Sequence, residues 1–391
     1  MKCIFFFLMF FTQLAFSQSK TITVIDSSTS LPIENVNVYY SNLGEGTFTN
    51  SDGKASINVR EYDLKVTNIS YEEIVIKPSD LFSVDTIRMI QKTIVLDEVT
   101  ISSFDLNKSI NFILDNYSKL YVNIPFEKEC EFKETLITND QLRRLILMKV
   151  NWWDQSYERK KNGIMLRLGS IEYNKNKPLG IFTDVPRLNI ASKSGYITPS
   201  SILNTIYLNT LLTSLLPIIV EADTKIEDSP SDLILASFET GWIKSGTFSR
   251  NIKGTITFDK QSKAIVEIQY DVDYEGNIVN DTIIENKKET KSETKKSSLT
   301  ISFNKTLNNK WSLKTYEGNV VLDVTYDNKI NNVVIKNNIF VLKESNVKRV
   351  SDKGLIDLTK AIYESLPSSD VKSSNSLLLT EAERKFMFDS E

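Results

Sequence analysis

Short segments in which apolar and polar residues alternate, separated by turn residues, run through most of this chain and limit what it can fold into. Between Thr21 and Ile101 such segments are brief; the first, Thr21–Ile25, ends at the polar run Asp26-Ser27-Ser28. Ser51-Asp52-Gly53 predicts a tight turn, because glycine accepts a positive φ and aspartate can bond its own backbone. A period of two places one side of each strand in a core, so this region predicts a small β-sandwich.

Three motifs within this region follow one another in a fixed order. They are Pro32-Ile33-Glu34-Asn35-Val36-Asn37-Val38, then Thr49-Asn50-Ser51-Asp52-Gly53, and finally Leu96-Asp97-Glu98-Val99. This order resembles the carboxypeptidase-like regulatory domain, a transthyretin-like sandwich of Bacteroidota outer-membrane and periplasmic proteins. The same module precedes the plug of SusC-type TonB-dependent transporters. The resemblance implies a docking module and carries no catalytic activity with it.

The first 17 residues predict a secretory signal peptide. Lys2 precedes the apolar run Ile4–Phe11, and Ala15 and Ser17 give the small-x-small pattern of a cleavage site. The apolar run is too short for a permanent membrane-spanning helix. Cys3 lies before that run, whereas a lipid anchor needs a cysteine after it. We therefore expect an exported protein, cleaved near Ser17, and the resemblance places it in the periplasm or at the periphery of the outer membrane.

The composition excludes several classes of function. A net charge of −3 gives no basic surface for nucleic acid. The sequence contains no histidine, which removes the usual neutral-pH general base, the Ser-His-Asp and Cys-His arrangements and His-based zinc sites. Cys130 is the one cysteine beyond the signal peptide, and its alternation with Phe132 and Leu136 predicts a buried thiol. We predict no catalytic residues, no cofactor and no metal.

The rest of the chain predicts a second, larger unit. Residues 103–125 read as a linker and a helix, with Asp105 as its N-cap. Residues 126–391 predict an antiparallel β domain, or an open half-barrel, with helices near 198–216 and 354–366. We thus expect a mainly β protein: a sandwich over residues 18–102 and a larger antiparallel β domain with a few helices. The predicted strands are Glu131–Thr138, Leu142–Asp154, Ile164–Tyr173, Phe248–Asp259, Lys263–Tyr274, Leu299–Asn304, Lys310–Thr325 and Asn332–Leu342.

Two polar segments have more than one interpretation. Glu285–Lys296 is rich in Glu, Lys, Thr and Ser and predicts a solvated hairpin tip. Asp271–Ile278 has the oxygen ligands and the glycine that open a calcium-binding loop, but Thr282 stands where the bidentate glutamate belongs. A hairpin turn with an acidic face is therefore the favoured interpretation, and calcium binding is the alternative.

The uncharged helix at 198–216 also has alternatives. Thr198-Pro199 is a good helix start, and a polar stripe accompanies the apolar residues that follow. A helix packed on the sheet is favoured, because four polar groups at helical spacing would need partners inside a membrane. A transmembrane helix and a helix that lines an apolar ligand groove are the alternatives.

Three aromatic residues are the candidate contacts to a ligand or partner: Trp152, Trp153 and Tyr157. Aromatic rings can stack on sugars or lie against lipid chains, although large aromatics in long strands usually fill cores. Adjacent strand residues point to opposite faces, so we expect one tryptophan in the core and the other exposed or covered by a loop or partner.

These observations favour a non-enzymatic binding or interaction protein of the envelope, which holds a partner protein or an apolar or glycan ligand and associates peripherally with the outer membrane. The strand meander distantly resembles the half-barrel of Lol-type lipoprotein carriers, so a carrier of lipid or another apolar ligand is one alternative. An envelope hydrolase that uses carboxylates or Ser and Lys is another. A TonB-dependent transporter is disfavoured, because 391 residues with helical segments do not suit a large barrel.

Overall fold

The structure is a computed structural model of the chain. It describes residues 19–92, 104–159, 163–174, 176–177, 198–228, 232–276, 278–283, 288–306, 308–326, 328–360 and 379–388. The predicted signal peptide and the Leu96-Asp97-Glu98-Val99 motif lie outside these residues. Within them the protein is mainly β, as predicted: two small sheets, one large antiparallel sheet and a few helices.

The N-terminal part is a β-sandwich. Its elements are β1 (Ser19–Asp26), β2 (Asn37–Tyr40), β3 (Glu45–Phe48), β4 (Lys54–Asn58), β5 (Leu64–Thr67), β6 (Ile74–Ile76), α1 (Pro78–Leu81) and β7 (Thr86–Met89). One sheet has the order β4-β1-β7 and the other β3-β2-β5-β6. Alternate residues of both sheets, such as Val24 and Val38, are fully buried in one shared core. Gly53 takes a positive φ, as predicted, but the side chain that accepts the turn's amides is Asn50 rather than Asp52.

The large sheet contains the remaining strands. They are β8 (Phe126–Thr138), β9 (Gln141–Asp154), β10 (Met165–Tyr173), β11 (Asp223–Asp228), β12 (Leu233–Ser245), β13 (Phe248–Asp259), β14 (Ile265–Glu275), β15 (Ile278–Ile283), β16 (Lys288–Lys305), β17 (Trp311–Tyr326) and β18 (Lys329–Ser345). Their order is β10-β9-β8-β18-β17-β16-β14-β13-β12-β11, with β15 paired to β16. All these pairs are antiparallel, and β8 joins β18 although about half of the chain lies between them.

The helices pack on one face of this sheet. They are α2 (Leu106–Asp115), α3 (Tyr117–Leu120), α4 (Pro199–Ile206) and α5 (Leu208–Val220), while α6 (Glu381–Phe388) contacts β9. Asp105 caps α2 through the amide of Lys108, and Thr198 caps α4 through the amide of Ser201, as the sequence predicts. Apolar side chains of α2, α4, α5 and the central strands form one core, which also buries Cys130.

The predicted helix at 198–216 is two helices. Tyr207 adopts an extended conformation, and the axes of α4 and α5 meet at 70°. Within the described part of the chain, no single helix has the length and apolar character needed to cross a membrane; α4 and α5 meet that test only as a bent pair. Their apolar sides are buried on the sheet, which agrees with the favoured interpretation.

Two other predictions are wrong. Residues 354–360 are not helical, because Ile356 donates its amide to the Leu166 carbonyl and Leu355 forms a β-bridge with Arg167. Residues 361–366 lie outside the description. The predicted hairpin tip is strand from Lys288 onward, because β15 and β17 pair with β16 there, and its first residues, 285–287, lie outside the described residues.

We predict that Tyr121→Phe lowers the free energy of unfolding by about 1–3 kcal/mol. The fully buried Tyr121 hydroxyl donates to the Ile265 carbonyl and accepts from the Ile265 amide, both at 2.9 Å, and so ties α3 to β14. Urea denaturation measures the effect. Tyr62→Phe, on a residue that is 42% exposed, is the control and should change little.

Candidate functional site

Two neighbouring β-bulges shape the face of the large sheet that lies opposite the helices. The register of β16 and β17 leaves Lys314 without an opposite residue, and the register of β18 and β8 does the same for Leu342. A bulge bends its strand and redirects side chains. The bulges lie where the sandwich contacts this face, through a cluster of Phe48, Phe340 and Leu342.

The sandwich is docked by the Phe48 cluster, by Ile69, which packs against the core of the large sheet, and by a few polar contacts. The rings of Phe48 and Phe340 have centroids 4.7 Å apart, and both side chains are buried. Asn35 donates to the Glu317 carboxylate at 2.8 Å, and Lys343 lies 3.6 Å from Glu45. The docked sandwich therefore covers polar residues of the sheet as well as apolar ones.

A cavity of about 1060 Å³ opens between the sandwich and the sheet, and we call it the cleft. The β2–β3 turn and β5 line it on the sandwich side. The segment Val122–Ile124, the end of β16, the start of β17 and the end of β18 line the other side. This volume is in the range of small-molecule sites. A second cavity of about 430 Å³ lies beside it and shares Thr67, Glu73 and Lys314 among its lining residues.

Lys314 lies where the two cavities meet. It is only 9% exposed, and its ammonium donates to the Val341 carbonyl at 2.9 Å. The same ammonium lies 4.9 Å from the ring centroid of Phe48 and 5.6 Å from that of Tyr39. Burial, and then the nearby charge of Lys128, lower the pKa of Lys314 to about 7.

A polar network lies next to Lys314. Lys128 is fully buried and forms an ion pair with Glu344, and Ser312 hydrogen-bonds to both. Burial acts to raise the pKa of Glu344, but the charge of Lys128 and these hydrogen bonds hold it below its usual value. Every charged group of the network has a partner, as a structural polar network requires.

A carboxylate of the second cavity is also perturbed. Burial raises the pKa of Glu267 to about 7, although the charge of Lys92 opposes the shift. Lys92 belongs to the sandwich and Glu267 to β14, so the pair bridges the two parts. Perturbed groups of both signs therefore gather between the sandwich and the sheet, as they often do at functional sites.

The three aromatic residues predicted from sequence lie elsewhere. Trp152 and Tyr157 are buried in the helix-side core, where the Tyr157 hydroxyl donates to the Ile206 carbonyl. Trp153 is buried on the opposite face and donates to the Val347 carbonyl at 2.7 Å, so a chain segment covers it. Their burial favours a core role over contact with a ligand.

In the aromatic cluster around Trp152 and Tyr157 the tyrosine hydroxyls are hydrogen-bonded, whereas the buried Trp152 indole nitrogen has no hydrogen-bond partner among the described residues. The Tyr117 hydroxyl donates to the Tyr157 carbonyl at 2.8 Å, and Tyr207 bonds to the Asp154 carboxylate. Burial raises the pKa of all three tyrosines. The apolar gap beneath α4, which Trp152 lines, has a volume of only about 60 Å³. That space is far smaller than a typical ligand site.

The calcium-loop interpretation does not fit the structure. Asp271 and Asp273 lie within β14 and form ion pairs with Lys296 and Lys253, at 3.3 and 3.7 Å. Gly276 takes a positive φ between β14 and β15, which both pair antiparallel with β16 and therefore run in the same direction. The favoured hairpin turn is therefore wrong as well: the glycine interrupts a strand that continues along β16.

Comparison with known proteins adds little to this geometry. No protein-family model and no curated protein matches the sequence. Among solved structures, the chain is similar to lipovitellin, in a study of lipid–protein interactions, at 8% identity and a TM-score of 0.24, over 66% of this chain and 29% of that one. It is also similar to a membrane-associated protein of unknown function from Bacteroides fragilis, at 8% identity and a TM-score of 0.13, over 83% of this chain and 97% of that one.

We predict that Glu267 makes the protein less stable as pH rises from about 4.5 to about 7. Its pKa is raised on folding, so the folded state binds more protons than the unfolded state across this range and loses stability as the proton dissociates. Glu267→Gln removes that loss. Urea midpoints at pH 5 and pH 7.5 measure it: the fall between them should be smaller in the variant, and an equal fall in both proteins would contradict the assignment.

Proposed function

We propose that this protein is a non-enzymatic binding protein of the cell envelope, which holds a ligand in the cleft between its sandwich and its large sheet. One observation carries the proposal: a cavity of about 1060 Å³ lies directly beside Lys314, a buried lysine that forms no ion pair with a carboxylate among the described residues. Burial disfavours the charged form of such a group, and a group perturbed in this way beside a cavity is a candidate for contact with a ligand.

The envelope location rests on the sequence. Residues 1–17 have the pattern of a secretory signal peptide, and the sandwich motifs resemble those of Bacteroidota periplasmic and outer-membrane proteins. Fractionation of cells that express the full chain tests this location. Recovery in the periplasmic or outer-membrane fraction supports it, if mass spectrometry shows that about the first 17 residues have been removed. Recovery in the cytosol with Met1 or Lys2 retained contradicts it.

The carrier alternative would place an apolar ligand in the second domain alone. The gap beneath α4 offers about 60 Å³ there, against about 1060 Å³ in the cleft. An acyl chain would have to separate α4 from the sheet, whereas the cleft needs no such change. The described residues thus favour a ligand between the two parts.

We predict that native mass spectrometry of the gently purified protein shows a bound small molecule. Ser41→Trp, which fills the sandwich side of the cleft, should reduce the bound fraction at least severalfold, because the indole occupies ligand volume. Ser79→Trp, on an exposed residue away from the cleft, is the matched control and should retain the ligand. Equal retention by both variants would exclude the cleft as the binding site.

A further inference from the structure

The cleft has an unbalanced set of charges at one end. Lys305, Lys310 and Lys314 come together at the end of β16 and the start of β17, and all three line the cleft. Lys310 donates to the Ser118 carbonyl at 2.6 Å, and Lys305 lies 6.0 Å from the ring centroid of Trp311. Within the described part of the chain, none of the three forms an ion pair with a carboxylate.

The other lysines of the cleft are different. Lys65 is paired with Glu73 at 2.8 Å, and Lys343 lies near Glu45. These pairs neutralise the sandwich-side rim and the end of β18. The cationic surplus is therefore local, and it surrounds the space next to the buried ammonium of Lys314.

The remaining wall of the cleft is apolar in part. Ile124 is 46% exposed although it is a large aliphatic residue, and Val122 and Leu43 lie along the same cavity. Covering an exposed isoleucine in a cavity with an apolar group removes apolar surface from water, which is favourable for binding. The cleft thus combines a cationic end with an apolar wall.

We propose that the cleft binds an anionic amphiphile, whose carboxylate or phosphate headgroup lies among Lys305, Lys310 and Lys314 and whose apolar chain lies against Ile124 and Leu43. This inference rests on the proposed function and names its ligand class. Charge-assisted hydrogen bonds from lysine to a carboxylate or phosphate are strong, particularly where water is partly excluded.

Binding of such an anion is coupled to proton uptake at Lys314. The free protein holds this lysine at a pKa of about 7, and an adjacent anion raises that pKa. Between the two pKa values, binding adds a proton, so affinity falls as pH rises above about 7, by at most about tenfold per unit.

Several other groups face Lys314 across the two cavities. The acidic ones are Glu73, Glu267, Glu317 and Glu344. The basic ones beyond the three lysines are Lys65, Lys92, Lys128 and Lys343. Tyr39, Tyr71 and Tyr316 also line these cavities, and Cys130, in the core on the other side, acts on Lys314 only through its charge. Of these, Glu267 also has a pKa of about 7. The affinity for the ligand is therefore measured as a function of pH in both the unmodified protein and Glu267→Gln, which separates the titration of Glu267 from that of Lys314.

Isothermal titration calorimetry tests the ligand class with delipidated full-length protein. The probes share one chain length below micelle formation: octanoate, octyl phosphate, neutral octyl glucoside and cationic octyltrimethylammonium, with inorganic phosphate as the headgroup alone. We expect octanoate and octyl phosphate to bind at least tenfold more tightly than the neutral and cationic probes and than inorganic phosphate.

The outcomes separate this inference from the proposed function. Tight binding of octyl glucoside in the cleft, blocked by Ser41→Trp, would keep the function and overturn the anionic class. If inorganic phosphate binds as tightly as octyl phosphate, the apolar chain contributes nothing to affinity, and the proposal of an amphiphilic ligand is overturned. Failure of every probe, together with an empty cleft in native mass spectrometry, would overturn both.

The residues are tested by substitution. Lys305→Met and Lys310→Met should each weaken octanoate binding severalfold, whereas Lys244→Met, on an exposed residue of the β12–β13 hairpin, should not. Lys314→Met should also remove the pH dependence between pH 7 and pH 9. If that variant does not fold, proton uptake by the unmodified protein remains measurable from titrations in buffers of different ionisation enthalpy, and zero uptake at pH 7.5 would overturn the role of Lys314.

Discussion

The contact between Phe48 of the sandwich and Phe340 of the large sheet joins the two parts of the molecule, and the cleft exists because they meet there. Helices cover one face of the sheet, and its other face would be open to water at the bulges near Lys314 and Leu342. The sandwich covers that face through a small apolar cluster and leaves two adjoining cavities between itself and the sheet. An apolar pair of this kind contributes mainly through burial, while its limited size keeps the surrounding cleft open.

The electrostatics of the buried region follow from this docking. Lys314 would be solvated on an exposed strand, but the rings of Phe48 and Tyr39 cover it and separate it from water. Its neighbour Lys128 forms an ion pair with Glu344, and among the described residues no carboxylate forms an ion pair with Lys314. Cation–π contacts and one carbonyl compensate only part of the lost hydration. A bound anion would supply the missing partner, which is why the cleft and the buried cation are best understood together.

The sequence was sufficient for the fold and insufficient for this site. Period-two alternation located most strands, and polar capping residues located α2 and α4, because these signals are local. The strands β11, β12 and β15 were missed, and so was the start of β16. Polar residues dominate most of these segments, and their pairing depends on neighbours distant in the chain.

Nothing in the sequence around Lys314 indicates a functional residue, because it is one polar residue in a strand. Its burial arises from a bulge and from a sandwich that lies more than two hundred positions earlier. Conversely, the large aromatic side chains of Trp152 and Tyr157 made them candidate ligand contacts in the sequence, whereas in the structure both are buried in the core.

Hydrogen–deuterium exchange with and without octanoate tests the central claim most directly, because it locates the ligand on the intact chain. We expect octanoate to slow exchange on both walls of the cleft, in residues 39–44 of the sandwich and at the amides of 305–306 and 310–314 on the sheet, with little change in α4 and α5. Slower exchange confined to α4 and α5, or protection on one wall alone, would contradict a ligand site between the sandwich and the sheet.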